Sequence, residues 1–291
     1  MRKSLPLLLV LPAFLAGCHT YQQAFYTSPF NGAANDYHPL PQIIDSAHTA
    51  VYAQLTYLSN TGNNRNRDDI DAFRASFTVA HHNDFLQAYY GGDLALGGYK
   101  MAGWEDTIAG ATLLYDPATL NEYAGSHSFG GVGFHGGANF VIPFTGGEWR
   151  IFGVEGTVYH EWGGYHSVRQ ALPDSAATLI ARSPTYGTIG FTSELIGSLE
   201  NGEFGFRMAI GRALGSPYWD PDLRDHNTGN YIHYRYVDLT AHLTHDRYTV
   251  FGQLAFATKS AGVSLGMAYR LNRPRNAPAS KPHRREVLYR N

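Results

Sequence analysis

Two histidines bracket the stretch of the chain with the clearest potential for acid–base or metal chemistry, His160–His166. Glu161, Trp162 and a Gly-Gly pair lie between them. In the helical zinc-protease motif the two histidines are about four residues apart, so that both face one metal ion. Here they are six apart, and their convergence would depend on a loop. We therefore expect no metal site, and we expect Trp162 and Tyr165 to belong to an interfacial aromatic belt.

A second group of acid–base residues lies further along the chain and comprises Asp220, Asp222, Asp225 and His226. It lacks the spacing and the terminal glutamate of a calcium-binding EF-hand, which favours a solvated acidic loop. No nucleophile elbow, phosphate loop or dinucleotide fingerprint is present. We expect no cofactor and no enzyme. The alternative is a loop-borne hydrolase or lipid-modifying activity, and its first residues to test are His160, His166, Asp222 and His226.

Polar side chains also alternate with apolar ones along several stretches, so that one face of an extended strand would carry them. These residues are Gln54, Arg74, His135, Asn139, Glu155, Glu194, Arg207, Gln253 and Arg270. They could line a pore or bind a small polar solute. They could equally form an interior of paired charges, because a buried charge requires a partner. The near balance of acids and bases favours the second interpretation.

The elements that would position these residues are long strands. In residues 247–257 and 262–272, apolar or small side chains take every second position, which places them on one face of a strand. The pattern predicts ten strands, at 47–58, 71–81, 85–98, 127–142, 148–160, 186–199, 203–213, 229–243, 247–257 and 262–272. Their lengths reach or exceed the roughly nine to eleven residues of a tilted membrane strand. The face of residues 229–243 is ambiguous, and Gly91-Gly92 suggests a bulge or bend.

The connections between these strands alternate between long and short. Outer-membrane barrels have long outer loops and short periplasmic turns. An open sheet in lipid would leave backbone groups unpaired, so such strands must close. The sequence therefore predicts an all-β fold, a closed antiparallel transmembrane β-barrel of about ten strands spanning 47–272. Residues 105–122 and 167–182 contain apolar residues that could form short helices at the outer mouth.

Composition agrees with a sheet that faces lipid. Charged residues make up 16% of the chain, which contains 32 glycines and 20 tyrosines. A net charge of −2 provides no field that would attract nucleic acid, and we expect no nucleic-acid partner. The alternative is a soluble β-rich periplasmic lipoprotein, a sandwich with four of these residues packed inside it: Phe77, Phe140, Phe206 and Leu265.

The last predicted strand carries a short motif, Ser264-x-Gly266-x-x-Tyr269-x-Leu271. It resembles the C-terminal signal that the outer-membrane barrel assembly machinery recognises, although further residues follow it here. The resemblance implies that this machinery is a partner. Outer-membrane lipid is the second expected partner, and a small solute or surface ligand is the third.

The N-terminus carries a second resemblance. Arg2 and Lys3 precede an apolar run that is too short to span a bilayer, as in a secretory signal. Leu15-Ala16-Gly17-Cys18 then resembles the bacterial lipobox, which implies cleavage after residue 17 and lipidation of Cys18. We expect a signal peptide at 1–17 and a lipidated periplasmic tether at 18–46, with its anchor in the periplasmic leaflet. Residues 273–291 are expected to form a basic disordered tail.

Taken together, these features resemble the small outer-membrane barrels of Gram-negative bacteria. The lipobox, the Tyr26-x-x-Pro29 lead and the alternating strands resemble barrel lipoproteins of Bacteroidetes type. Omptin surface proteases are similar in size and topology, but no omptin motif matches. The expected function is a structural, ligand-binding or narrow-pore role in the outer membrane.

Overall fold

The computed structural model describes residues 21–30, 36–42, 48–63, 68–104, 112–200, 202–215, 217–218 and 232–272. The signal peptide, Cys18, the 273–291 tail, Asp222 and His226 lie outside these residues. In chain order the strands are β1 (Tyr21–Gln22), β2 (Phe25–Tyr26), β3 (Thr49–Gly62), β4 (Asp68–His82), β5 (Leu86–Met101), β6 (Thr112–Leu113), β7 (Gly125–Phe144), β8 (Gly147–Trp162), β9 (Leu179–Ile180), β10 (Thr185–Leu199), β11 (Gly202–Leu214), β12 (Arg235–His245), β13 (Tyr248–Ala257) and β14 (Ser260–Arg270). The α-helices are α1 (Pro117–Glu122) and α2 (Gly164–Ala171). Within the described ranges, no helix is both long and apolar enough to cross a membrane.

Ten of these strands form one closed barrel, in the order β3-β4-β5-β7-β8-β10-β11-β12-β13-β14. Every neighbouring pair is antiparallel, and β14 pairs with β3 to close the ring from Ser260↔Gly62 to Arg270↔Tyr52. The predicted architecture and strand count are confirmed. Closure leaves no barrel strand with an unpaired edge, which is the condition for a sheet surrounded by lipid.

The exterior of the barrel is apolar. Phe77 is 49% exposed, Phe140 52%, Phe206 49% and Leu265 63%. A soluble sandwich would bury these four side chains together, so that alternative is wrong. The outward positions of the neighbouring strands are also occupied by large apolar residues, including Leu94, Phe134, Phe191 and Val250. A continuous belt of this kind suits hydrocarbon as its solvent.

Strand register settles two uncertain points of the sequence interpretation. In β12, Val237 and Leu243 face outward, whereas Tyr236, Asp238 and His242 face inward. β5 runs through Gly91-Gly92 with unbroken pairing to both neighbours, so the suggested bulge is absent there. The barrel irregularity lies in β8 instead, where the register shifts between Phe140 and Val141 of its partner β7.

The two ends of the barrel differ. Long connections at 102–124, 163–184 and 215–234 lie at one end, which we call the loop mouth. The opposite end, the turn mouth, has the short connections 83–85, 145–146, 200–201 and 246–247. Helices α1 and α2 lie at the loop mouth, where Leu120 and Tyr165 join a buried apolar cluster. Short helices were expected in these two loops.

Residues 21–30 and 36–42, which we call the lumen segment, are buried inside the barrel. The sequence predicts a periplasmic tether at 18–46, and the described part of that range lies inside the barrel. At the loop mouth, β1 pairs with β6 and β2 pairs with β9, both in parallel. At the turn mouth, Leu40 packs against a group of buried residues, Ala50, Tyr52, Ala80 and Tyr89. The segment thus crosses the lumen from one mouth to the other before β3 begins.

Candidate functional site in the lumen

A buried cluster in the middle of the lumen joins the lumen segment to the wall. Asp93 on β5 accepts a hydrogen bond from His135 Nδ1 at 2.8 Å and one from Ser76 Oγ at 2.5 Å. The hydroxyl of Thr78 lies 3.0 Å from His135 Nε2 and 3.4 Å from His38 Nδ1. Carboxylate, imidazole and hydroxyl groups therefore form one connected hydrogen-bonded chain.

The backbone of β5 makes room for this cluster. A Cβ atom at Gly91 would lie 2.5 Å from His135 Nε2 and 2.1 Å from the carbonyl oxygen of Phe77. His135 can therefore lie against β5 only because residue 91 has no side chain. The Gly91-Gly92 pair, which we interpreted as an interruption of the strand, provides this space instead.

The order Asp93–His135–Thr78 is that of a hydroxyl nucleophile with its base and orienting acid. All three side chains are buried under the lumen segment, so a substrate has no route to the hydroxyl in this arrangement. The side chains of His38, Asp93 and His135 are also close enough to be considered as metal ligands. However, the two imidazoles are stacked, with centroids 3.7 Å apart and planes 14° apart. Stacked rings cannot both direct an in-plane nitrogen lone pair at one ion, so this geometry does not suit a metal.

The remaining charges of the lumen are paired mostly within the wall. Arg150 on β8 donates to Glu194 at 2.5 Å and contacts Glu148 at 2.9 Å. His242 Nε2 lies 2.9 Å from the second oxygen of Glu194. Arg207 pairs with Glu155, which also accepts a hydrogen bond from the Tyr89 hydroxyl at 3.1 Å. Removal of one partner of such a buried pair strongly destabilises the folded protein, because the other charge is left buried without compensation.

The lumen segment adds its own contacts to this wall. Asp36 lies 3.7 Å from Arg74 and accepts a hydrogen bond from Gln54. Tyr37 stacks on His242 with centroids 4.8 Å apart. The carbonyl oxygens of Leu40 and Pro41 accept hydrogen bonds from Arg150 and Gln87. Together these contacts fill the lower half of the lumen with protein.

The structure places eight of the nine predicted interior residues in buried positions inside the barrel: Gln54, Arg74, His135, Asn139, Glu155, Glu194, Arg207 and Gln253. The ninth, Arg270, is half-buried at the turn mouth. Sequence reasoning missed His38, Asp93, Glu148, Arg150 and His242. A charged residue such as Arg150 in an otherwise apolar face was the available signal that alternation breaks in its strand.

The predicted loop histidines have different immediate partners. His160 is exposed on β8 and its Nδ1 lies 2.9 Å from the Thr185 hydroxyl. His166, on α2, lies 3.6 Å from Glu161. Partial burial, and secondarily the nearby His160, lower the pKa of His166 below its usual value.

Glu161 instead holds the loop mouth together. Its carboxylate pairs with Arg169 of α2, and both side chains are buried. It also accepts a hydrogen bond from the hydroxyl of Ser28 in the lumen segment at 2.9 Å. Trp104 donates from Nε1 to the Tyr26 hydroxyl at 2.7 Å, a second link between a long connection and the lumen segment. At the loop mouth the described parts of two long connections are thus joined to the lumen segment.

Comparison with known proteins adds similarity at the level of folds. No protein-family model matches the chain, and no curated protein is significantly similar to it. An outer membrane channel from Pseudomonas putida F1 is 8% identical, with 81% of this chain and 100% of that chain covered and a TM-score of 0.41. The β domain of the Bordetella autotransporter BrkA is 11% identical, with coverages of 77% and 99% and a TM-score of 0.40. Neisserial surface protein A is 8% identical, with coverages of 77% and 98% and a TM-score of 0.31. Similarity this distant carries no functional argument.

The closed ring, the apolar exterior and the polar interior define the class of the protein. It has the fold of an outer-membrane β-barrel with ten antiparallel strands. Within that class, its lumen is occupied by its own N-terminal residues.

Proposed function

We propose that this protein is a lipidated outer-membrane β-barrel with a closed lumen, which acts as a structural platform and presents its loops to surface ligands. One observation carries the proposal. The lumen segment runs from the loop mouth, where β2 pairs with β9, to the turn mouth, where Leu40 packs on Tyr52 and Tyr89. A barrel filled in this way does not serve as an open narrow pore.

The apolar belt and the closed sheet support an outer-membrane location, because only closed barrels and helices satisfy their backbone in lipid. The barrel assembly machinery is the partner proposed for β14, which contains the Ser264, Gly266 and Tyr269 positions of the signal-like motif. An enzymatic role has less support, because His160 contacts Thr185 and His166 contacts Glu161, which is itself paired with Arg169.

The leaflet of the proposed lipid differs from the one expected from sequence. Cys18 precedes Tyr21 by three residues, a reach of roughly 10 Å for a fully extended chain. Tyr21 pairs with Thr112 in a long connection at the loop mouth. Long loops face outward in such barrels. We therefore place the acyl chains of Cys18 in the outer leaflet, at the cell surface, instead of in the periplasmic leaflet.

Conductance tests the closed lumen. The full chain, folded and inserted into a planar lipid bilayer at neutral pH, is expected to give no steady ionic current. A persistent current with a defined unit size would contradict a closed lumen and support the narrow-pore alternative.

Protease access tests the leaflet. A protease site inserted between Cys18 and Tyr21 is expected to be cut when protease is added to intact cells. A matched control carries the same site at Gly146, in the short turn between β7 and β8, and should be cut only after the outer membrane is permeabilised. If both sites are cut only after permeabilisation, the N-terminus lies in the periplasm and the outer-leaflet proposal is wrong. Loss of acylation in Cys18→Ala, followed by mass spectrometry, tests the lipid itself.

A further inference from the structure

The two halves of the lumen segment are attached to the barrel in different ways. Residues 21–30 form short backbone ladders with β6 and β9, and the carbonyl oxygens of Gln22, Ala24 and Tyr26 accept further backbone hydrogen bonds. Residues 36–42 contact the wall through the side chains of Asp36, Tyr37, His38 and Leu40 and through two carbonyl oxygens. The lower half is therefore held by a few specific contacts, and each of these depends on local chemistry.

The wall beneath residues 36–42 is held together by its own charges. Arg150 pairs with Glu148 and Glu194, and Arg207 pairs with Glu155. These pairs join one wall residue to another, so they persist when the lower half of the lumen segment moves away. Withdrawal of residues 36–42 would thus leave the pairs of Arg150 and Arg207 intact, whereas the contact of Arg74 with Asp36 would be lost.

The contact most sensitive to acid is the stack of His38 on His135. The rings lie face to face with centroids 3.7 Å apart, and both are buried. His135 directs Nδ1 at Asp93 and lies with Nε2 3.0 Å from the Thr78 hydroxyl. A proton on His38 would create a buried cation against the face of this ring, where it is poorly solvated and repelled by nearby positive charge.

The other charged and titratable groups around His38 do not relieve this repulsion. Arg74 of β4 and Arg207 of β11 add positive charge, and Tyr89 of β5 is neutral. Asp36 is engaged with Arg74. Thr78 offers a single hydroxyl to both rings. By contrast, His242 contacts a carboxylate directly, with Nε2 2.9 Å from Glu194.

We propose that the contact of His38 with His135 is an acid-sensitive latch, and that protonation of His38 releases residues 36–42 from the lower lumen while the barrel stays folded. Proton binding to His38 determines how the stability of the docked state depends on pH. A released His38 has the ordinary pKa of about 6.5, whereas burial against His135 disfavours the proton in the docked state. The docked state is therefore fully favoured above that pH and loses stability as the pH falls below it.

Hydrogen exchange on the full-length folded protein in detergent micelles tests the latch. The protection factor of residues 36–42, corrected for the intrinsic pH dependence of exchange, is compared between pH 7.5 and pH 5. We expect it to fall about tenfold per pH unit below roughly 6.5, as linkage to one proton requires. The strands β4 and β7 serve as the internal reference and should keep their protection.

His38→Phe is the decisive variant, because phenylalanine keeps a neutral ring on His135 and cannot take up a proton. It should hold residues 36–42 protected at pH 5. His166→Phe, which removes a histidine from α2 at the loop mouth, is the matched control and should respond to acid as the unmodified chain does. The latch is refuted if residues 36–42 of the unmodified protein stay protected at pH 5. It is also refuted if His38→Phe loses as much protection at pH 5 as the unmodified protein does. The unmodified chain alone decides the question if His38→Phe fails to fold.

Discussion

Arg150 on β8 lies directly opposite Glu194 on β10, and its guanidinium donates to that carboxylate at 2.5 Å. The alignment exists because the register shifts between Thr192 and Glu194. Beside Arg150, the consecutive residues Ile151 and Phe152 both face outward. A β-bulge changes the phase of alternation in this way, and here it turns an arginine from the lipid face into the lumen.

Removal of Arg150 should be strongly destabilising. Arg150→Ala leaves Glu148 and Glu194 buried without their shared cation, which typically costs about 3–5 kcal/mol. The measurement is the free energy of unfolding in urea, followed by loss of the heat-modifiable gel band. Lys100→Ala is the control, because its pair with Asp69 is exposed and should be worth less than about 1 kcal/mol. Equal losses in the two variants would contradict the buried ion-pair network.

The space above Gly91 should not tolerate a methyl group. In Gly91→Ala the new Cβ would meet the Phe77 carbonyl oxygen and His135 within 2.5 Å, and forcing such a contact costs roughly 1–3 kcal/mol. Gly98→Ala on the same strand is the control, since nothing lies within 4 Å of its Cβ position. Urea unfolding of both variants should separate them clearly. A neutral Gly91→Ala would show that His135 can move away without loss.

Depth in the membrane should determine the effect of a charge on the exterior. Leu265 lies at the middle of β14, and Leu271 lies just beyond its end. Arginine at the bilayer midplane typically costs about 2–4 kcal/mol, against about 0–1 kcal/mol near an interface. We expect Leu265→Arg to lower the unfolding free energy in lipid vesicles much more than Leu271→Arg. Similar small effects at both positions would argue against contact with hydrocarbon.

The first turn of α1 should weaken at low pH. Hydrogen bonds from the Thr119 hydroxyl, and then from the N–H groups of Thr119 and Ala118, lower the pKa of the Asp116 carboxyl. A lowered pKa stabilises the folded form above the ordinary value of about 4, and this stabilisation is lost as the pH falls through the lowered pKa. Amide exchange in α1 should therefore accelerate as the pH falls below the ordinary carboxyl pKa of about 4.

Asp116→Asn should remove most of this pH dependence, because an amide caps the helix at any pH. Glu122→Gln, at the last residue of the same helix, is the matched control and should leave the dependence unchanged. If the two variants respond alike, the capping carboxylate is not the titrating group.

Much of the barrel could be predicted from sequence because each strand is long and its side chains alternate. That regularity identified the face of Phe204 and Phe206 and the opposite face of Arg207. It failed where the backbone departs from a period of two. In β8 the bulge at Ile151 changes the alternation, so Arg150 faces the lumen although Phe152 and Val154, two and four positions later, face outward.

The central cluster could not be predicted for a different reason. His38 belongs to a stretch with Pro39 and Pro41 that has no periodicity, and its contacts with Thr78 and His135 join residues 40 and 97 positions away. Local patterns contain no information about which segment fills a lumen. The role of Gly91 in β5 could be recognised only once the position of His135 was known, because the glycine provides the space that the His135 ring occupies.

The position of the lumen segment inside a closed barrel constrains the order in which the protein can fold. A chain whose two ends leave a ring on opposite sides of it must either be drawn through the finished hole or be enclosed while the hole is being made. If Cys18 is acylated as proposed, a charged lumen would resist the passage of that end. We infer that the strands close around the lumen segment and that the pairing of β14 with β3 forms last. The topology therefore determines the order of assembly.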